Sequence, residues 1–128
     1  MKYQFQPIGH IKTPYNTIDE CPRNINKNAA PCHIFIKEEY IDGLFGLNSG
    51  DPILVLYWMD KAKFSHLTLP SRKTGEIKGI FALRTPQRPN PIGAAVVTIE
   101  DIIEGEILVR GLDCLNMTPL LDIKPAMK

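Results

Sequence analysis

The sequence predicts a mainly β protein: a small single-domain β-barrel with one or two short helices. Three observations carry that prediction. Short runs rich in β-formers recur along the 128 residues, with Gly, Pro, Asn and Asp between them. Strand-like and helix-like segments do not alternate, so nothing calls for a parallel sheet with crossover helices. About six to eight short strands in one small domain have edges to hide, and closure into a barrel hides them.

Tyr3 to Lys12 sets Tyr3, Phe5, Ile8 and Ile11 along a strand, with a bulge near Pro7–Gly9. Thr13-Pro14-Tyr15-Asn16 is turn chemistry. Asp19 to Pro31 reads as a long irregular loop, which a compact domain keeps when it is functional or mobile. Cys32 to Ile36 is a short strand. Lys37 to Leu47 has apolar residues at helical spacing and acidic residues in its first turn, and is the one substantial helix. Pro52 to Met59 is a continuous apolar run, hence a central buried strand, and it ends in Asp60-Lys61. Ala62 to Lys78 is a polar excursion. Gly79–Leu83 and Ala94–Ile99 read as core strands. Ala95–Ile103 and Glu106–Gly111 form a hairpin through Glu104-Gly105. Leu112 to Pro119 is a loop, and Leu120 to Pro125 is the last element.

Between two of the core runs lies Arg84-Thr-Pro-Gln-Arg-Pro-Asn-Pro-Ile-Gly93. Pro86, Pro89 and Pro91 exclude a helix and push the residues before them to extended geometry. The stretch reads as a stiff rail on which Arg84 and Arg88 face one target together, with Asn90 adding donors and an acceptor. A polar rail between core strands is a site built on a scaffold. The alternative is a rigid loop with two solvated arginines.

Composition narrows the function classes. Hydrophobic content of 44% and charged content of 23% suit a soluble globular domain. A net charge of +1 argues against a nonspecific polyanion binder. Locally, Lys61, Lys63, Arg72, Lys73, Lys78, Arg84 and Arg88 face only Glu76, which is either a basic face for RNA or phosphate or a solvated surface. Cys21, Cys32 and Cys114 form no disulfide framework and no metal-ligand pattern. With no signal segment and no bilayer-length apolar run, the expectation is a cytoplasmic protein without membrane contact. There is no Gly-rich dinucleotide fingerprint, no P-loop, no HExxH and no GxSxG.

Phe81-Ala-Leu-Arg-Thr-Pro-Gln-Arg-Pro-Asn-Pro-Ile-Gly93, Val109-Arg-Gly-Leu-Asp113 and Thr118-Pro-Leu-Leu-Asp-Ile-Lys-Pro125 together resemble the TsaA-like (TrmO-type) family. Pro7-Ile-Gly9 with Thr13-Pro14-Tyr15 resembles the family's opening segment, so the likeness covers nearly the whole chain in outline. The resemblance implies a β-barrel S-adenosylmethionine-dependent methyltransferase acting on N6 of threonylcarbamoyl-adenosine, next to the anticodon of tRNA. It implies a homodimer, and one domain over residues 1–128 without the C-terminal accessory domain of longer members. By motif, Pro22, Arg23, Asn24, Asp60, Lys61, Arg84, Ala94, Leu112, Asp113, Cys114 and Leu115 fall to cofactor binding. Arg88, Asn90, Thr118 and Lys124 fall to site support or to the RNA side. Asp60, Asp113 and Asp122 are the candidates for a general base, and no metal is expected.

The residue chemistry agrees with that cofactor. A carboxylate suits an arginine fork, ribose hydroxyls and an ammonium suit a carboxylate such as Asp113, and an adenine suits backbone amides with an apolar wall such as Leu115. The sequence departs from the family pattern at Asn116-Met117, where an acidic residue and Gly are usual, and at Asp60-Lys61, where His-Gln is usual. Losing that Gly implies a reshaped loop. Two other functions stay open: the same cofactor with another methyl acceptor, and a non-catalytic cofactor- or RNA-binding module.

Overall fold

The computed structural model describes residues 2–22 and 30–127. Among the described residues nine strands form: β1 (Gly9–Lys12), β2 (Pro31–Ile36), β3 (Pro52–Trp58), β4 (Thr68–Pro70), β5 (Ile77–Gly79), β6 (Ile92–Thr98), β7 (Asp101–Ile103), β8 (Glu106–Arg110) and β9 (Thr118–Pro125). Seven of them make one antiparallel sheet in the order β6-β3-β9-β1-β2-β8-β7, and β4 pairs with β5 alone.

Alternation puts one face of that sheet in the core. Ile53, Val55 and Tyr57 of β3 point inward with Ala95 and Val97 of β6, Ile34 and Ile36 of β2, Ile107 and Val109 of β8, and Leu120 of β9. The apolar run in β3 is therefore only half core: Leu54, Leu56 and Trp58 lie on the outer face, partly exposed.

The expected barrel is not closed by hydrogen bonds. A flat seven-stranded sheet holds its edges roughly 29 Å apart. Here the edge strands β6 and β7 are joined by Ile99 and Glu100 alone, a link that reaches about 10 Å. The sheet must roll until its edges meet at that corner. Ile99 is buried there, and the Glu100 N–H donates to Leu108 O at 2.8 Å. With β7 only three residues long and already paired to β8, no ladder among the described residues seals the seam.

Other expectations need correction. The Lys37–Leu47 pattern forms a 3-10 helix over Glu38–Leu44, not an α-helix; Gly43 and Gly46 remove the propensity to extend it. Gly79–Leu83 is not a strand: Ile80–Ala82 is a 3-10 turn that buries Ile80 and leaves Phe81 78% exposed. The first strand begins only at Gly9, and Tyr3 and Phe5 are exposed. Gly9 is needed there because a Cβ would overlap the Phe35 carbonyl across the ladder. The polar excursion contains the unforeseen β4–β5 hairpin, whose residues alternate in no readable way. Glu104-Gly105 does turn a hairpin, with φ of 40° and 86°, as a primed two-residue turn requires. No helix among the described residues is long and apolar enough to cross a membrane.

Candidate functional site

At one end of the sheet, three segments converge: the end of β3, the start of β6, and the loop after β8. Tyr57 and Gly93 are direct cross-strand partners. The Tyr57 ring occupies the space that a Cβ on Gly93 would need. Tyr57 is 4% exposed, and its phenol donates to Asp113 Oδ1 at 3.0 Å.

The loop carrying Asp113 is tied down on both sides. Thr13 Oγ1 donates to the Cys114 carbonyl at 2.9 Å, and Thr118 Oγ1 donates to the Leu115 carbonyl at 2.6 Å. The Asn116 N–H donates to Tyr15 O at 2.7 Å, while its side-chain oxygen accepts from the Thr13 N–H at 3.2 Å. The Met117 N–H donates to Ile11 O at 2.8 Å, and Met117 itself sits at φ 66°. Met117 thus stands in the left-handed region, a conformation that favours glycine.

The proline segment is bent, not a straight rail. The Arg88 N–H donates to Pro86 O and the Ile92 N–H to Asn90 O, both three-residue bends. Its two arginines do not face one target. Arg84 reaches forward, Nη2 donating to the Ala94 carbonyl at 2.6 Å. Arg88 folds back, Nη1 donating to the carbonyls of Leu83 (3.0 Å) and Thr85 (2.8 Å). The Met59 N–H donates to Pro91 O at 2.8 Å and fastens the segment to the end of β3.

Electrostatically, the cluster is built around Asp113. Burial holds the Tyr57 phenol far above its usual range, and the Asp113 charge adds to the effect while Arg84 opposes it. Burial pushes the Cys114 thiol up to about 12, with Cys32 and Asp113 contributing. Cys21, Cys32 and Tyr15 are raised as well, each first by burial and in part by Asp113. These groups keep their protons at neutral pH, so neither Tyr57 nor Cys114 is a base or a nucleophile there.

The residues expected at the site do not all meet. Asp113, Arg84, Ala94 and the backbone of Leu112–Leu115 come together around Tyr57, while Pro22 is half-buried after Cys21, whose thiol the Asp113 charge helps to raise. Arg23 and Asn24 lie outside the described residues. Asp60 and Lys61 are exposed in the turn after β3, and Asn90 is exposed on the proline segment. The side chains of Leu112 and Cys114 are core, which leaves the backbone of that loop, with half-buried Leu115, to meet a ligand. Asp122 pairs with Lys124 at 2.9 Å and shares the outer sheet face with Leu56, turned away from Asp113. Among the described residues no group of His, Cys, Asp and Glu could hold a metal. An open hollow of about 600 Å³ beside Ile41, Leu44 and Phe45 shares no residue with this cluster.

Sequence reading missed Tyr57, Thr13 and Gly93 as partners. Tyr57 had a signal: it is a polar-tipped aromatic near the end of a buried strand, and a buried phenol needs an acceptor.

Residues 10–128 match the model of the tRNA-methyltransferase O N-terminal domain. An S-adenosyl-L-methionine-binding protein of Archaeoglobus fulgidus is 41% identical over 119 residues, which is 93% of this chain and 86% of that protein. The probable S-adenosyl-L-methionine-binding protein VirR of Rhizobium radiobacter is 40% identical over 118 residues, 92% of this chain and 67% of that protein. The human tRNA (adenine(37)-N6)-methyltransferase is 30% identical over 132 residues, 94% of this chain and 29% of that protein. The crystal structure of TrmO from P. aeruginosa aligns with a TM-score of 0.80 at 29% identity, covering 99% of this chain and 55% of that one. The chain therefore spans about half the length of that solved TrmO. A match from the first strand to the last, joined to the fold, makes this chain a member of the tRNA-methyltransferase O N-terminal domain family.

Proposed function

We propose that the protein binds S-adenosylmethionine at the Tyr57–Asp113–Arg84 cluster and methylates N6 of threonylcarbamoyl-adenosine beside the anticodon of tRNA. The observation that carries the reading is the Tyr57–Asp113 hydrogen bond, which orients a carboxylate at the sheet end where Arg84 also stands. Asp113 is aimed by Tyr57, and Arg84 lies against the Ala94 carbonyl. The donor set fits the cofactor. Asp113 suits ribose hydroxyls or an ammonium, the Arg84 fork suits a carboxylate, and the Leu112–Leu115 backbone with Leu115 suits a purine edge. When bound, the cofactor supplies an electrophilic methyl group on a sulfonium.

The chain's own work is placement. Tyr57 fixes the Asp113 carboxylate through a hydrogen bond that stays protonated. Thr13 and Thr118 fix the loop backbone, and Arg88 pins the proline segment on which Arg84 stands. An in-line transfer gains most from such positioning. The exposed basic residues Lys61, Lys63, Arg72 and Lys73 are assigned to the RNA side. Beside the site, Ile92, Ala94 and Val96 of edge strand β6 stand against Trp58, Leu56 and Leu54. We assign this outward apolar face to a second copy in a homodimer, and acting on tRNA to a cytoplasmic protein.

Calorimetric titration with S-adenosylmethionine, followed by methyl transfer to tRNA with and without the threonylcarbamoyl group, tests the reading. Micromolar binding, weakened at least tenfold in Arg84→Ala, with transfer only to the modified tRNA, is the expected result. Cofactor binding unaffected by Arg84→Ala would overturn the site. Binding with transfer to some other acceptor would overturn the substrate. Sedimentation of Val96→Asp tests the dimer face, which predicts a monomer.

A further inference from the structure

We propose that the outward face of β1 and β2 is a stacking platform for a single-stranded stretch of RNA flanking the reacting nucleoside. This rests on the tRNA reading above. His10 of β1 is the cross-strand partner of Phe35 in β2, and Lys12 is the partner of His33. The His10 and Phe35 rings lie 5.1 Å apart at 18°, and His33 and Phe35 lie 6.3 Å apart at 23°. Lys12 Nζ stands 6.0 Å from the centre of the Phe35 ring. Three nearly parallel rings with an ammonium beside them are what unstacked bases and their phosphates select.

The core does not require these rings. Their inward neighbours Ile11, Ile34 and Ile36 fill it, while His10, His33 and Phe35 remain half-exposed. The row also starts at the rim of the site. Lys12 precedes Thr13, whose hydroxyl holds the Cys114 carbonyl next to Asp113. Charge fixes the strand's path. His33 Nδ1 pairs with Glu106 Oε1 at 2.7 Å, which places a carboxylate on the β8 side. Phosphates therefore follow Lys12 along β1, and the bases extend the row of stacked rings.

Fluorescence anisotropy of the full chain with an RNA hairpin bearing an adenosine-containing single-stranded loop, over a range of salt, tests this. His10→Ala and Phe35→Leu should each weaken binding roughly fivefold or more with the salt slope unchanged. Phe35→Tyr, which keeps the ring, should bind as the parent does. Lys12→Ala should reduce the salt slope by about 0.7. Cofactor affinity should be unchanged in all four. Parental RNA affinity in His10→Ala and Phe35→Leu overturns the platform, and lowered melting temperatures with intact RNA binding would mark the rings as a cross-strand brace. A parent that takes no S-adenosylmethionine and methylates no tRNA overturns the functional reading instead, whatever these variants do.

Discussion

Tyr57 and Asp113, 56 residues apart in the chain, are joined by a hydrogen bond of 3.0 Å from the phenol to the carboxylate. It couples the end of a core strand to the loop that the family likeness marks for cofactor contact. Tyr57→Phe keeps the ring and deletes the donor. The expected loss is about 1–2 kcal/mol of stability in urea unfolding. Cofactor affinity should fall about tenfold as Asp113 loses its orientation. Equal cofactor affinity in parent and variant would remove Tyr57 from the site.

Gly93 is the second half of that arrangement. Gly93→Ala places a methyl group into the Tyr57 ring, and overpacking of this kind costs roughly 1–3 kcal/mol. A drop in melting temperature of several degrees is expected. Combined with Tyr57→Leu, the alanine should cost much less than it does alone, since the ring that opposes it is gone. Additive losses in the double variant would show the clash is not the cause.

Met117 is held at φ 66° and is half-exposed. A side chain in that region costs on the order of 1 kcal/mol relative to glycine. Met117→Gly should therefore raise stability by about 0.5–1 kcal/mol, the reverse of the usual effect of adding glycine. Thermal unfolding checks it, and a destabilised variant would mean the Met117 side chain packs productively.

Alkaline pH should unfold the protein early. The thiol of Cys114 titrates at about 12 in the fold against 9.0 when unperturbed, and Tyr57 is raised above its 10.0. A folded pKa above the unfolded one gives stability that is complete below the unfolded value and is lost as pH rises towards the folded one. From pH 9 to 12, Cys114 alone removes up to about 1.36 kcal/mol per pH unit. Cys114→Ala should flatten the onset near pH 9, and Tyr57→Phe the part above pH 10. Urea unfolding at successive pH values separates the two.

Much of this fold was readable because its strands obey simple patterns. Pro52–Trp58 and the Glu104-Gly105 turn follow from β-formers and a two-residue turn. What could not be read depends on contacts that residue spacing and hydrophobic pattern do not reveal. The direction of Arg84 and Arg88 is set by carbonyls they happen to reach, not by their spacing. Asp122 was indistinguishable from Asp113 as a carboxylate near a motif. Only the register of β9 on β3 shows that it faces outward. The short β4–β5 hairpin buries almost nothing, so no hydrophobic pattern announces it.

The position of β9 has a kinetic consequence. Ninth in sequence, it lies between β3 and β1 in the middle of the sheet. Before it docks, β6-β3 and β1-β2-β8-β7 are separate pieces with open edges. The barrier to folding must then include closing the longest loop between paired strands, from β1 to β9, and such contacts make folding slow. A ribosome must release Thr118–Pro125 before the two pieces can unite, so the unjoined intermediate is where chaperone capture or edge-to-edge aggregation would act.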